Sequence, residues 1–108
     1  MDWLEYQSFV QTTKRYDDRF RLIYPVLGLS SEAGEVAGKL KKILRDGDGE
    51  IDNERRMALI DELSDVLWYV TCCADDLSLS LHDLAVHNVQ KLEDRVKRDV
   101  IHGDGDNR

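Results

Sequence analysis

Apolar residues recur at helical spacing along almost the whole chain, and no stretch sustains the alternation of a β-strand. The pattern predicts helices over about residues 2–16, 25–45, 52–77 and 80–98. Asp2 suits the N-cap of the first helix, and Pro25 suits the first turn of the second because it has no N–H to leave unpaired. Ser80 and Asp83 form a predicted capping box at the start of the fourth.

Polar and glycine-rich stretches separate these segments. The Asp-Gly-Asp-Gly run at 46–49 ends the second helix, whereas residues 17–24 are compatible with either a turn or a helix extension. The last residues are too polar and glycine-rich to pack as a helix. We therefore predict a single all-α domain over residues 1–108, an antiparallel bundle of the four-helix type, with residues 101–108 as a flexible tail.

Two acidic steps stand out on the second and third helices, Glu32-x-x-Glu35 and Glu62-x-x-Asp65. Residues three apart lie on one face of a helix, so each step presents two carboxylates side by side. On both helices the carboxylates border the apolar stripe. Four carboxylates from two facing helices suit Mg²⁺, which prefers oxygen ligands and often also binds substrate phosphate. A phosphate-handling enzyme is therefore the leading hypothesis.

The fourth helix carries a matching stripe of opposite charge. Asn88, Lys91 and Arg95 border its apolar side as the carboxylates do on the other two helices, so the three stripes can converge at one cleft. Cations beside the core of an acidic protein favour an anionic partner. The alternative interpretation is structural: Lys39 and Lys42 lie one turn beyond the first acidic step, where they can form surface salt bridges with the acids.

Composition narrows the range of functions. The chain has 15 Lys and Arg against 22 Asp and Glu, a net charge of −7, which argues against binding a nucleic-acid polymer. No apolar run reaches the roughly 18 residues of a membrane span, and no signal-peptide layout is seen, so we expect a cytoplasmic protein that does not enter a membrane. Cys72 and Cys73 are adjacent on a helix, where their side chains diverge, and we expect both to be reduced.

Trp68 lies off the apolar stripe of the third helix. An aromatic side chain in that position either stacks on a nucleotide base or fills an interface between subunits. The sequence pattern alone leaves both roles open.

Two ordered motifs carry a family resemblance. The stretches LGLSSEAGEVAGKLKK at 27–42 and DELSDVLWYV at 61–70 resemble the MazG-like family of all-α nucleotide pyrophosphohydrolases. That family's signature is E-x-x-E, a spacer, and E-x-x-D; here 26 residues separate Glu35 from Glu62. The resemblance extends to N-x-x-K-L-x-x-R on the fourth helix and the Gly-Asp-Asn-Arg ending, covering most of residues 4–108. Two departures are Ser31 and Asp99, where glycine is often found.

The resemblance implies hydrolysis of a (deoxy)nucleoside triphosphate to the monophosphate and pyrophosphate by a homodimer or homotetramer. It implies that Mg²⁺, or Mn²⁺ in its place, is held by the catalytic carboxylates Glu32, Glu35, Glu62 and Asp65. The residues expected to bind substrate are Lys39, Lys42, Trp68, Asn88, Lys91, Arg95, Asn107 and Arg108. Two alternatives stay open: a non-enzymatic helical oligomerisation or adaptor module, and the same fold acting on dUTP or a phosphoribosyl nucleotide.

Overall fold

The computed structural model describes all 108 residues, and its regular structure is entirely helical. The four α-helices are α1 (Trp3–Thr13), α2 (Ile23–Asp46), α3 (Asn53–Asp76) and α4 (Leu81–Lys97), with a 3₁₀ turn at Asp18–Phe20 between α1 and α2. The predicted all-α class and the number of helices are confirmed.

The α2–α3 hairpin is the largest element of the fold. Each helix has 24 residues, which corresponds to a length of about 36 Å. The short helices α1 and α4 pack against α3 and each other near the end of α3. Gln7 of α1 ties this junction together, because its side chain donates to the Leu79 carbonyl (3.0 Å) and accepts from the Leu81 N–H (3.0 Å). The small core lies here and consists mainly of Val10, Thr71, Cys72, Ala74 and Leu81.

Side-chain caps start three of the helices where the sequence predicts them. Asp2 forms a full capping box with Glu5, and Asp52 accepts from the backbone N–H of Arg55. The capping box predicted at Ser80 is only half formed: its hydroxyl accepts from the Asp83 N–H at 3.0 Å, with no return bond from the Asp83 side chain. The aspartate side chain is one methylene shorter than the Glu or Gln that normally completes this motif.

The connection between α1 and α2 differs from the prediction. α1 ends at Thr13 rather than near residue 16, and α2 begins at Ile23, two residues before Pro25. Leu22 precedes α2 with a φ of 63° and gives no side-chain cap. A leucine rarely adopts such a backbone, so a tertiary contact must hold this turn.

Asp76, at the end of α3, supplies that contact. Its side chain is fully buried (0% exposed). It accepts hydrogen bonds from the Leu22 N–H (2.8 Å), the Tyr16 hydroxyl (2.8 Å) and the Lys14 ammonium (2.7 Å). One carboxylate therefore fixes the start of α2 relative to the end of α3.

Much apolar surface of the single chain remains uncovered. Only nine of 108 residues are buried, and the radius of gyration is 16.8 Å, against about 13 Å for a compact domain of this size. Leu40 and Leu63, on the apolar stripes of α2 and α3, are 42% and 54% exposed. None of the four α-helices has the length and hydropathy of a membrane span.

Candidate active site

Three of the four predicted carboxylates meet between α2 and α3. Glu32, Glu62 and Asp65 each offer a carboxylate oxygen, and these oxygens all lie within 4.8 Å of one another. Glu32 and Glu62 are partly buried and Asp65 is exposed, so the group faces an open groove. The predicted fourth member, Glu35, is exposed and lies outside this group.

The antiparallel register of the two helices explains this meeting. Gly28 of α2 lies directly against the ring of Tyr69 on α3, and a Cβ at Gly28 would overlap the ring. Four residues later on α2 and four earlier on α3, Glu32 comes opposite Asp65. Because both acidic steps have the same three-residue spacing, one register aligns both pairs of acids.

The clustered negative charge disfavours ionisation of Glu32. Partial burial, followed by the charges of Asp65 and Glu62, raises the pKa of Glu32 above its usual value. The nearest cation is Lys39, whose ammonium lies 3.3 Å from a Glu62 oxygen. One lysine against three carboxylates leaves an excess of negative charge. A divalent cation with oxygen preference matches such a set of donors.

The basic residues of α4 are engaged by the C-terminal segment. The Arg95 guanidinium is almost fully buried and donates to the Asp106 carboxylate (3.1 Å) and carbonyl (3.0 Å). Lys91 lies 3.3 Å from the same carboxylate. No hydrogen bond or salt bridge joins Lys91 or Arg95 to the three-carboxylate group, so the convergence of stripes expected from the sequence is not formed by direct contact.

The last residues fold back on the end of α4 instead of extending away from it. The Arg108 guanidinium donates to the carbonyls of Val100 and Ile101, both at 3.0 Å. Asn107 borders a cavity of about 410 Å³ beside Lys91 and Asp106. Asn88 is exposed and makes no hydrogen bond through its side chain. The sequence did not indicate Asp106, because a polar segment without periodicity gives no sign of what it contacts.

Aromatic side chains gather near the start of α2. Trp68 is half-buried and its indole N–H donates to the Thr13 hydroxyl at 2.7 Å. With Tyr16 and Tyr24 it borders a cavity of about 370 Å³. The Tyr16 and Tyr24 rings are stacked, with centroids 4.9 Å apart. Of these residues the sequence predicts only Trp68. Tyr16 and Tyr24 lie next to and within residues 17–24, which are compatible with either a turn or a helix extension.

Comparison with known proteins agrees with this geometry. The profile of the MazG nucleotide pyrophosphohydrolase domain matches residues 25–100, which include all four predicted carboxylates. The Gene 37 protein of Mycobacterium phage L5 is 51% identical over 87 residues, covering 81% of this chain and 76% of that protein. No solved structure matches the chain.

Proposed function

The chain belongs to the MazG nucleotide pyrophosphohydrolase family and is a hydrolase of nucleotide phosphoanhydride bonds, and we propose that it converts (deoxy)nucleoside triphosphates to the monophosphate and pyrophosphate with Mg²⁺. The observation that carries the proposal is the group formed by Glu32, Glu62 and Asp65 within the residues matched to the family. The match favours an enzyme over the adaptor module that the sequence alone left open.

The three carboxylates fit a hard divalent cation. Their oxygens lie within 4.8 Å of one another. The pKa of Glu32 is raised by burial and then by the neighbouring acids, and a bound cation would offset both effects. Glu35, one turn beyond Glu32, is the proposed fourth ligand, reached by rotation of its exposed side chain. When bound, Mg²⁺ or Mn²⁺ neutralises phosphate oxygens and lowers the pKa of a bound water.

The other proposed role of the site is to position the substrate. Phosphoryl transfer depends mainly on alignment and charge stabilisation rather than on covalent help from the protein. Lys39 is proposed to bind a phosphate oxygen next to the metal ligands, which its contact with Glu62 supports. Lys91, Arg95 and Asn88 are proposed to bind phosphate as well, after Asp106 is displaced from the two cations. Trp68 is proposed to contact the base, and Asn107 and Arg108 to approach the nucleotide when the tail rearranges.

The aromatic cavity bears on which nucleotide bases the enzyme accepts. The aromatic cavity bordered by Trp68, Tyr16 and Tyr24 offers stacking surfaces, and stacking accepts any base. We therefore propose a broad (deoxy)nucleotide specificity, with dUTP and phosphoribosyl nucleotides as the substrates to be compared with it.

A homo-oligomer is part of the proposal. The exposed apolar stripes of α2 and α3 and the open shape of the protomer support it, because soluble monomers rarely leave so much apolar surface uncovered. Light scattering coupled to size exclusion should give a mass of two or four chains. A monomeric mass at micromolar concentration would remove this part of the proposal.

The activity is tested with a panel of nucleoside triphosphates, with release of pyrophosphate and phosphate measured separately. We expect pyrophosphate release with Mg²⁺ or Mn²⁺ and none with excess EDTA. Glu35→Gln and Glu62→Gln should abolish turnover with helix content intact, and Mg²⁺ should no longer raise their melting temperature. Asp61→Asn, a neighbouring exposed acid outside the group, is the matched control. Near-normal turnover in Glu62→Gln would refute the metal assignment.

A further inference from the structure

A cavity at the loop end of the α2–α3 hairpin is lined by an unusual set of cations. Its volume is about 240 Å³, and it is formed by the last turns of α2 and the first turns of α3. We propose that this cavity binds the terminal phosphates of the substrate and holds the leaving pyrophosphate, with Arg55 as a phosphate-binding residue; this rests on the proposed function. The lining residues are Lys39, Lys42, Ile43, Asp46, Arg55 and Ala58.

Three cations and one acid line this cavity. Asp46 is the one acid in the lining, and Arg45 engages both of its oxygens, at 2.7 and 2.8 Å. Lys42 is exposed and makes no hydrogen bond or salt bridge. Arg55 lies 4.0 Å from the nearest carboxylate oxygen, that of Asp48. In a chain of net charge −7, an unpaired lysine beside an arginine with only a distant carboxylate indicates a site for an anion.

Arg55 is held in position rather than free in solvent. One of its nitrogens donates to the Glu50 carbonyl at 2.8 Å, and its guanidinium rests against Gly47, where a Cβ would lie 2.8 Å from a terminal nitrogen. The remaining N–H groups have no protein acceptor within hydrogen-bond distance. A guanidinium fixed in this way binds phosphate oxygens through two parallel hydrogen bonds at little entropic cost.

Lys39 connects the cavity to the carboxylate group. It lines the cavity, and its ammonium lies 3.3 Å from Glu62. Arg55 lies seven residues before Glu62 on α3, which places it two turns, about 10 Å, nearer the loop on the same face. The register that sets Glu32 opposite Asp65 also sets Lys42 opposite Arg55. The cations thus extend in one line from the carboxylates toward the loop.

The position of these cations indicates which way a nucleotide would lie along the α2–α3 hairpin. The aromatic cavity with Tyr24 lies on the opposite side of the carboxylates, toward the start of α2. A nucleotide whose base lies among the aromatic rings directs its terminal phosphates toward Lys42 and Arg55. At about 240 Å³ the cavity is smaller than the roughly 300–1,000 Å³ of pockets for whole small molecules, and it suits a fragment such as pyrophosphate.

The test measures binding of inorganic pyrophosphate to the full chain by calorimetry in the presence of Mg²⁺. Lys42→Gln and Arg55→Gln should each weaken this binding about tenfold, the value expected for loss of one charge-assisted contact. Arg55→Lys should recover only part of it. Lys41→Gln and Arg56→Gln carry the same charge change outside the cavity and should stay within about twofold of wild type.

The outcomes separate this inference from the proposed function. Lys42 makes no hydrogen bond or salt bridge, so Lys42→Gln tests the cavity even if Arg55→Gln disturbs the loop. Wild-type pyrophosphate affinity in Lys42→Gln and Arg55→Gln, or no pyrophosphate binding by the wild type, would overturn the inference. Normal nucleotide turnover alongside that result would leave the proposed function standing. Selective loss of pyrophosphate binding in a protein that hydrolyses no nucleotide would support the cavity and reject the activity.

Discussion

Asp76→Ala is the substitution whose effect on the free energy of unfolding can be estimated best from the structure. The side chain is fully buried and accepts from the Leu22 N–H, the Tyr16 hydroxyl and the Lys14 ammonium. Removing it leaves the first two donors, which are partly buried, without this partner. Lys14 keeps a second carboxylate, that of Asp75, at 2.8 Å.

The size of the loss follows from these contacts. A buried donor left unpaired costs about 1–3 kcal/mol, and breaking a buried ion pair costs about 3–5 kcal/mol when the remaining charge has no other partner. Because Lys14 retains Asp75, we expect Asp76→Ala to lower the free energy of unfolding by about 3–5 kcal/mol at pH 7. That is a large share of the roughly 5–15 kcal/mol that stabilises a typical domain.

Urea unfolding followed by circular dichroism measures this loss. The midpoint should fall by about 2 M for an m-value near 2 kcal/mol/M. Asp75→Ala is the matched control and should cost about 1 kcal/mol, because this acid is partly exposed and its donors, Lys14 and Gln11, are also near the surface. A loss below about 1 kcal/mol in Asp76→Ala would show that this carboxylate does not fix the start of α2.

The same contacts set a pH dependence. Burial opposes ionisation of Asp76, but the hydrogen bonds from Leu22, Lys14 and Tyr16 outweigh it and hold the pKa of this carboxyl below its usual value. Because the pKa is lower in the folded than in the unfolded state, the ionised carboxylate stabilises the fold above the unfolded pKa of about 3.9. The difference between wild type and Asp76→Ala should hold from pH 7 to about 5 and shrink as pH falls through the folded pKa. A difference that grew on acidification would contradict the sign.

Three further predictions address the groove and the tail. Arg95→Ala should reduce kcat/KM for nucleotide about tenfold or more while leaving Mg²⁺ binding to the free protein unchanged; an unchanged kcat/KM would remove α4 from the phosphate site. Truncation after Ile101 should raise KM with little loss of helix content, whereas an unaltered KM would show that the tail does not reach the nucleotide. Gly28→Ala should lower the unfolding free energy by about 1–3 kcal/mol because the added methyl group overlaps Tyr69. Gly34→Ala is the control and should be neutral or stabilising, because a Cβ there meets nothing within 4 Å. A stabilised Gly28→Ala would show that α2 and α3 are farther apart.

Local signals explain which parts of the fold were predictable. Asp2, Asp52 and Ser80 each cap a helix through the backbone of their own first turn, so their effect is visible in a few neighbouring residues. The start of α2 depends on Asp76 contacting Leu22, 54 residues apart. No local pattern encodes such a contact, and Pro25 alone suggested a start two residues too late.

The carboxylate group shows what helical periodicity can and cannot predict about a site. The helical repeat identified Glu32, Glu62 and Asp65, because the side-chain period places them on facing surfaces. Periodicity does not specify side-chain rotamers, and Glu35 points outside the group. The position of Arg55 could have been recognised from the sequence. It lies seven residues before Glu62, just as Lys39 lies seven residues after Glu32. In an antiparallel pair both steps lead toward the same loop.

The uncovered apolar surface has a consequence for how the protein behaves on dilution. Nine of 108 residues are buried in the single chain. In the proposed homo-oligomer a large part of the favourable burial would come from association, and folding would be a reaction of more than one molecule. The melting temperature should then rise with protein concentration, and a dilute enzyme should lose structure and turnover together. Rate per chain would fall at the nanomolar concentrations of a sensitive assay, although no residue of the groove had changed.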